Sequence, residues 1–294
     1  MDKTNTVSKG NKSGWINGFI GVVLFSGSLP ATKLAVQDLD PVFVTLIRAA
    51  VAGLLALAVL TFFGIKWPKK QDRVPLLFVT IGAVIGFPLL SALALQHMTS
   101  AHSIVFVGLL PLVTASFGVL RGGERPKPIF WLFSILGSLL VVGYAIREGL
   151  TVSPVGDLLM LGAILLCGLG YAEGARLAKS MEGWQVISWG LVFALPFLLP
   201  FIGVYWPTTL TQVSTPAWIG LAYVSMFSMF IGFIFWYRGL AQGGIAQVGQ
   251  LQLLQPFFAM TLAATILHET VSTDMIAVTA GVVLCVAGTK KFGS

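Results

Sequence analysis

Along most of the 294-residue chain, apolar residues run without interruption for about twenty positions at a time, and short polar stretches rich in Pro, Gly and charge separate the runs. Roughly 20 helical residues at 1.5 Å each cross a hydrocarbon layer about 30 Å thick. The pattern predicts spans at Trp15–Leu34, Val42–Gly64, Val74–Leu95, Ala101–Leu120, Pro128–Ile146, Val155–Ala175, Gln185–Tyr205, Ala217–Tyr237, Ile245–Leu267 and Val271–Thr289. A membrane barrel would alternate apolar and polar residues over segments of about ten. Continuous runs exclude that, and the expected fold is an all-α integral membrane protein of ten transmembrane helices.

Composition agrees: 56% of residues are hydrophobic and 10% charged, against roughly a quarter charged in soluble domains. Of the 18 Lys and Arg, 15 fall on alternate loops and the termini. The opposite side has Lys33 and Arg147, and Arg48 lies inside a span. By the positive-inside rule both termini are expected in the cytoplasm, with the chain in the plasma (bacterial inner) membrane. The net charge of +7 is thus read as a record of insertion, with no nucleic-acid partner. Lys3, Lys9 and Lys12 ahead of the first span also fit a signal peptide. The apolar stretch is long for one, and Pro30-Ala31-Thr32 is a poor cleavage site, so the segment is read as a retained span. Cys167 and Cys285 sit within apolar runs and read as small buried hydrophobes.

The chain repeats itself. An offset of 145 carries Ala101, Pro111 and Glu124 of the fourth span and its end onto Ala246, Pro256 and Glu269, and Gly143 onto Gly288. Repeats of residues 1–149 and 150–294 follow, each with five spans. An odd number of spans per repeat inverts the second relative to the first, and the loop bearing Glu269 has lost the basic residues of its counterpart. Inverted repeats suit alternating access to a central site.

The chain resembles the drug/metabolite transporter superfamily, and within it the EamA-type exporters with two five-span repeats. The resemblance rests on Gly123-Glu124-Arg125 and His268-Glu269, on Pro111 and Pro256, and on the Gly-rich fifth and tenth spans; His268 stands where the family usually has Gly. It implies export or exchange of amino acids, related metabolites or drugs, with spans 1, 3, 4, 6, 8 and 9 around a central cavity.

Polar groups at membrane depth are candidates for the pathway. Gln247, Gln250 and Gln255 fall within an arc of about 140° at 100° per residue, with Gln252 off that face. Such a face suits a zwitterion, or else ties the ninth helix to its neighbours. His102 is the repeat partner of Gln247, which is expected to bring both toward the pseudo-symmetry axis. His102 and Glu173 are the candidates for proton coupling, with structural hydrogen bonding, and for Glu173 pairing with Arg176, as the other reading. Phe87, Ser91, Phe106, Tyr171, Trp236 and Tyr237 complete the expected substrate-binding set. Pro111, Pro256 and Arg48 are the expected hinge or gate residues; Arg48 is also a candidate contact for a substrate carboxylate, and the favoured reading is an ion pair with Asp38 or Asp40 that clamps the loop between the first two spans. Trp15, Trp67, Trp206 and Trp218 read as an interfacial belt.

There is no HExxH, no pair of intramembrane Asp and no phosphate loop. No catalytic residue, metal or cofactor is therefore expected. The expected function is a monomeric secondary transporter for small amphipathic solutes such as amino acids, with a drug or organic-cation exporter and a passive channel as alternatives.

Overall fold

A computed structural model describes residues 12–94, 96–97, 100–147, 153–207, 211–258, 261–262 and 273–292. The described residues are helical, without strands. The first span is two helices, α1 (Lys12–Ser26) and α2 (Ser28–Ala35), broken at Gly27. Pro30 causes the break: it has no N–H for the Ser26 carbonyl, and its ring crowds that oxygen. The Leu24 carbonyl, near the same break, accepts instead from the Tyr223 hydroxyl at 2.9 Å. In α3 (Pro41–Phe62), Pro41 takes the first helical position, and the Asp40 carboxylate accepts from the N–H of Val42 at 2.8 Å and of Phe43 at 3.0 Å.

The third span is α4 (Lys70–Val79), a π-helical segment Thr80–Gly86, and α5 (Phe87–Ala94). Next come α6 (Ser100–Gly122), α7 (Pro128–Arg147), α8 (Pro154–Leu177) and α9 (Gly183–Val204). The eighth span repeats the device of the third, with α10 (Thr215–Tyr223), a π segment Val224–Ile231, and α11 (Gly232–Gly243). The offset of 145 carries Thr80 onto Ser225 and Gly86 onto Ile231, so the two π segments are repeat partners. The ninth span opens with α12 (Ile245–Gly249) and tightens to 3-10 geometry over Gln250–Leu254, just ahead of Pro256; α13 (Thr273–Phe292) completes the described chain. Pro111, by contrast, lies in an α6 that runs unbroken, so the two prolines are not matched interruptions.

Among the described residues, six helices are long and apolar enough to cross a membrane, and Phe106–Gly122 and Pro128–Tyr144 are shorter apolar ones. Large apolar side chains point outward on many of them, as with Phe62 (83% exposed), Val204 (75%) and Leu158 (71%). Such a surface is stable only against lipid. Trp67, Trp206 and Trp218 are exposed, whereas Trp15 is buried, with Lys290 Nζ 4.8 Å from its ring centre. Trp15 therefore does not belong to the belt. Helix α1 is held too closely against α11 to turn its indole outward.

The pairing of helices crosses between the halves: α1 packs on α11, α3 on α9, the α4–α5 rod on α8, and α7 on α13. Small residues permit the first of these. A Cβ on Gly14 would stand 2.5 Å from Gly243 N, and one on Gly239 would stand 2.5 Å from Gly18 N. At a second crossing a Cβ on Gly82 would reach Gly170 Cα at 3.0 Å. Without a hydrophobic drive between helices in lipid, this approach supplies the van der Waals contact that holds them. The Ser13 hydroxyl and Asn17 amide also bond Gln242 Oε1, at 3.2 and 3.1 Å.

Candidate functional site

The interruptions in the helices converge on one place. The break after α1 presents Ser28 and Thr32, and the two π segments present Ala83 and Ser228. Phe87 and Ser91 follow from α5, Cys167 and Tyr171 from α8, and Gln255 from the turn after the 3-10 segment. Together with Thr45 and Arg48 of α3 they enclose a central cavity of about 80 Å³. Wider or tighter turns leave backbone groups and side chains aimed off the regular helix faces, a common origin of sites in helices. A broader depression of about 440 Å³ near Lys179, Glu182 and Arg238 is an open surface feature at the turn between α8 and α9.

Arg48 is the charged group of the cavity. It is 9% exposed; its Nη2 donates to Ser228 Oγ at 3.2 Å, and Ser228 Oγ lies 2.6 Å from Ser28 Oγ. The clamp with Asp38 or Asp40 does not form. Asp40 caps α3, and Asp38 accepts from Ser214 N–H at 2.9 Å. The Ser214 hydroxyl and N–H hold the Asp38 carboxyl below its usual range. Both carboxylates are thus committed at helix N-termini and leave Arg48 to the cavity.

Of the expected substrate residues, Phe87, Ser91, Tyr171 and Gln255 line the cavity. Trp236 and Tyr237 are fully buried beside it. Trp236 packs on Phe25 and Tyr171 with ring centres 6.1 and 5.5 Å apart, and Tyr237 donates to Gly170 O at 3.4 Å. Phe106 packs into the core between α6 and α8. Gln250 is buried and turned back on Ala246 O at 3.5 Å, while Gln252 is buried without a partner of ordinary hydrogen-bond geometry. The His102 side chain, like His268 and Glu269, lies outside the described residues. The backbone alone separates His102 from Gln247. His102 begins α6, whereas Gln247 stands beside Glu124 at the other end of that helix, roughly 30 Å away. The two residues therefore stand at opposite ends of α6, and the pair does not meet at the axis.

Below the cavity, two polar links join the repeats. Glu173 on α8, fully buried, accepts from Arg121 Nε of α6 at 2.5 Å and pairs with Arg176 Nη2 at 2.7 Å. Placed between two guanidiniums, it reads as a lock rather than a free proton carrier, with pairing to Arg176 as the sequence suggested. The Glu124 carboxylate accepts from the N–H of Ile245 at 2.5 Å and of Ala246 at 2.7 Å, the first donors of α12. Gly244, at φ +92, makes the preceding turn possible. Glu124 was visible in the sequence as a repeated residue and a part of Gly123-Glu124-Arg125, but its capping role was not, because its partners lie 121 and 122 positions away. Ser28, Ser228 and Cys167 carried no sequence signal as cavity residues.

Replacing Glu124 with Ala should lower stability by about 0.5–2 kcal/mol, the range for a lost helix cap. Gln, which keeps one acceptor oxygen, should lose less. Thermal unfolding in detergent followed by circular dichroism checks the order; equal losses would remove the capping role.

Residues 12–145 and 154–289 each match the model of the EamA-like transporter family. The Bacillus subtilis (strain 168) protein named uncharacterized transporter YdeK is 61% identical over 280 residues, covering 95% of this chain and 98% of its own length. An Archaeoglobus fulgidus uncharacterized transporter is 22% identical over 254 residues, covering 84% of this chain and 87% of its own. A solved crystal structure superposes with a TM-score of 0.77 over 94% of this chain and 97% of that one, at 18% identity, which speaks for the fold. With both halves matched and a relative so similar along its length, the chain belongs to the EamA-like transporter family and is a multi-pass membrane transporter.

Proposed function

We propose that this transporter is a secondary carrier of small amphipathic organic solutes, and that it works by alternating access to the central cavity. It is read as ten spans in inverted repeats of residues 1–149 and 150–294. Both termini are cytoplasmic, in the plasma membrane, and the carrier is a monomer. The observation that carries this reading is the cavity itself. Helices of both repeats line it, and polar links, Arg121–Glu173 and Glu124–α12, cross between the repeats. A volume of about 80 Å³ is small beside the roughly 300–1,000 Å³ of ordinary ligand sites. A solute of amino-acid size therefore requires helices to part, and the π segments are where α5 and α11 can shift with little loss of hydrogen bonding.

Counterflow in proteoliposomes tests the carrier. With unlabelled solute inside, labelled solute from a panel of amino acids and aromatic acids should accumulate transiently above its equilibrium level. Flux that rises linearly with concentration and never overshoots would identify a passive channel.

A further inference from the structure

Arg48 holds an unused cationic site inside the cavity. Its guanidinium has five N–H donors, and among the described residues it makes one hydrogen bond, from Nη2 to Ser228; Nε is buried with no partner. No carboxylate among the described residues lies within 4.0 Å of it, since Asp38 and Asp40 cap helices and Glu173 is held by Arg121 and Arg176. A buried charge that lacks a counter-ion is costly and is normally retained where a ligand completes it. The surroundings define that ligand. Phe25, Phe87, Tyr171 and Phe233 supply ring faces and edges, and Ser28 and Gln255 supply neutral polar groups. Among the described lining residues no second cation appears, so one negative charge is matched, and no carboxylate is present to receive an ammonium group.

We propose that Arg48 anchors the carboxylate of the transported solute, and that the substrate class is monocarboxylates with an apolar or aromatic body. The planar guanidinium fork fits a carboxylate through two parallel hydrogen bonds. Organic cations are disfavoured by the same charge. This assignment rests on the central cavity being the transport site.

The test uses the full chain in lipid nanodiscs, with benzoate, phenylacetate and 3-phenylpropionate as probes, set against their primary amides and against phenethylamine. At least one acid should raise the melting temperature, with its amide binding about ten- to a hundredfold more weakly. Arg48→Gln should abolish the preference for acid over amide, and Arg48→Lys should keep part of it. Arg48→Lys, which keeps the charge but loses the planar fork, serves in place of Arg48→Gln if that variant does not fold, and an acid-to-amide ratio unchanged by it would overturn the proposal. Binding of no acid, equal binding of acid and amide, tighter binding of the amine, or a preference that survives Arg48→Gln overturns the proposal. A purely structural Arg48 would lower the probe-free melting temperature of Arg48→Gln without changing the ratio. Arg48-dependent acid binding without counterflow would retain the anion site and remove the carrier reading. Counterflow of a neutral or cationic solute untouched by Arg48→Gln would do the reverse.

Discussion

Replacing Arg121 and Arg176 together with Ala should destabilise the protein by about 3–5 kcal/mol, the scale for stripping a buried charge of its partners. Glu173 has no exposed surface in its side chain, while those of Arg121 and Arg176 are 43% and 40% exposed. The arginines can return to water when released; the carboxylate cannot. Each single Arg→Ala variant should therefore lose much less than the pair, because the remaining guanidinium still faces Glu173. Adding Glu173→Gln to the double variant should restore most of the loss, since a neutral amide needs no counter-ion. Tryptophan fluorescence during thermal unfolding of the parent and the four variants in detergent measures the cycle. Additive arginine effects, or a triple variant no better than the double, would show that Glu173 is not held as a buried ion. Because Arg121 and Glu173 belong to opposite repeats, the same variants should also loosen the contact between the repeats and, under the proposed alternating access, raise solute-independent exchange between conformations.

Gly239→Ala is the second large effect expected, together with Gly14→Ala, each at about 1–3 kcal/mol from overpacking, and Val at either position should prevent stable folding. The new Cβ would meet backbone, Gly18 N in one case and Gly243 N in the other, both at 2.5 Å. Backbone cannot swing aside as the end of a side chain can, so α1 and α11 would have to separate along their whole crossing. Gly143 and Gly203 are the internal controls, because a Cβ there meets nothing within 4 Å. Ala at these two positions should be neutral or stabilise by up to about 1 kcal/mol through helix propensity. Melting temperatures and monodispersity in detergent decide the matter. A loss at Gly143 matching that at Gly239 would sink the close-packing explanation.

Much of the ninth span illustrates where sequence reading stops. At 100° per residue Gln247, Gln250 and Gln255 share a face, but Gln250–Leu254 winds as a 3-10 helix. Three residues per turn is about 120° per residue, so five residues add roughly 100° of rotation. Gln255 then turns into the cavity while Gln250 folds back on Ala246. Arg48 shows a related limit. Its sequence neighbours Asp38 and Asp40 are natural counter-ions, yet helix N-termini compete for both carboxylates and hold them.

The sequence alone determined the membrane class, the placement of apolar spans and the two-fold repetition. Apolar transfer is close to additive along a segment, and so are the local rules that let Asp40 and Pro41 start a helix or Pro30 break one. The tertiary structure decided which polar groups meet. The locks of Glu173 with Arg121 and of Glu124 with α12 span 52 and more than 120 residues. The cavity depends on small changes of helical winding, in two π segments and one 3-10 turn, whose cost is settled by packing against neighbouring helices rather than by the residues that wind.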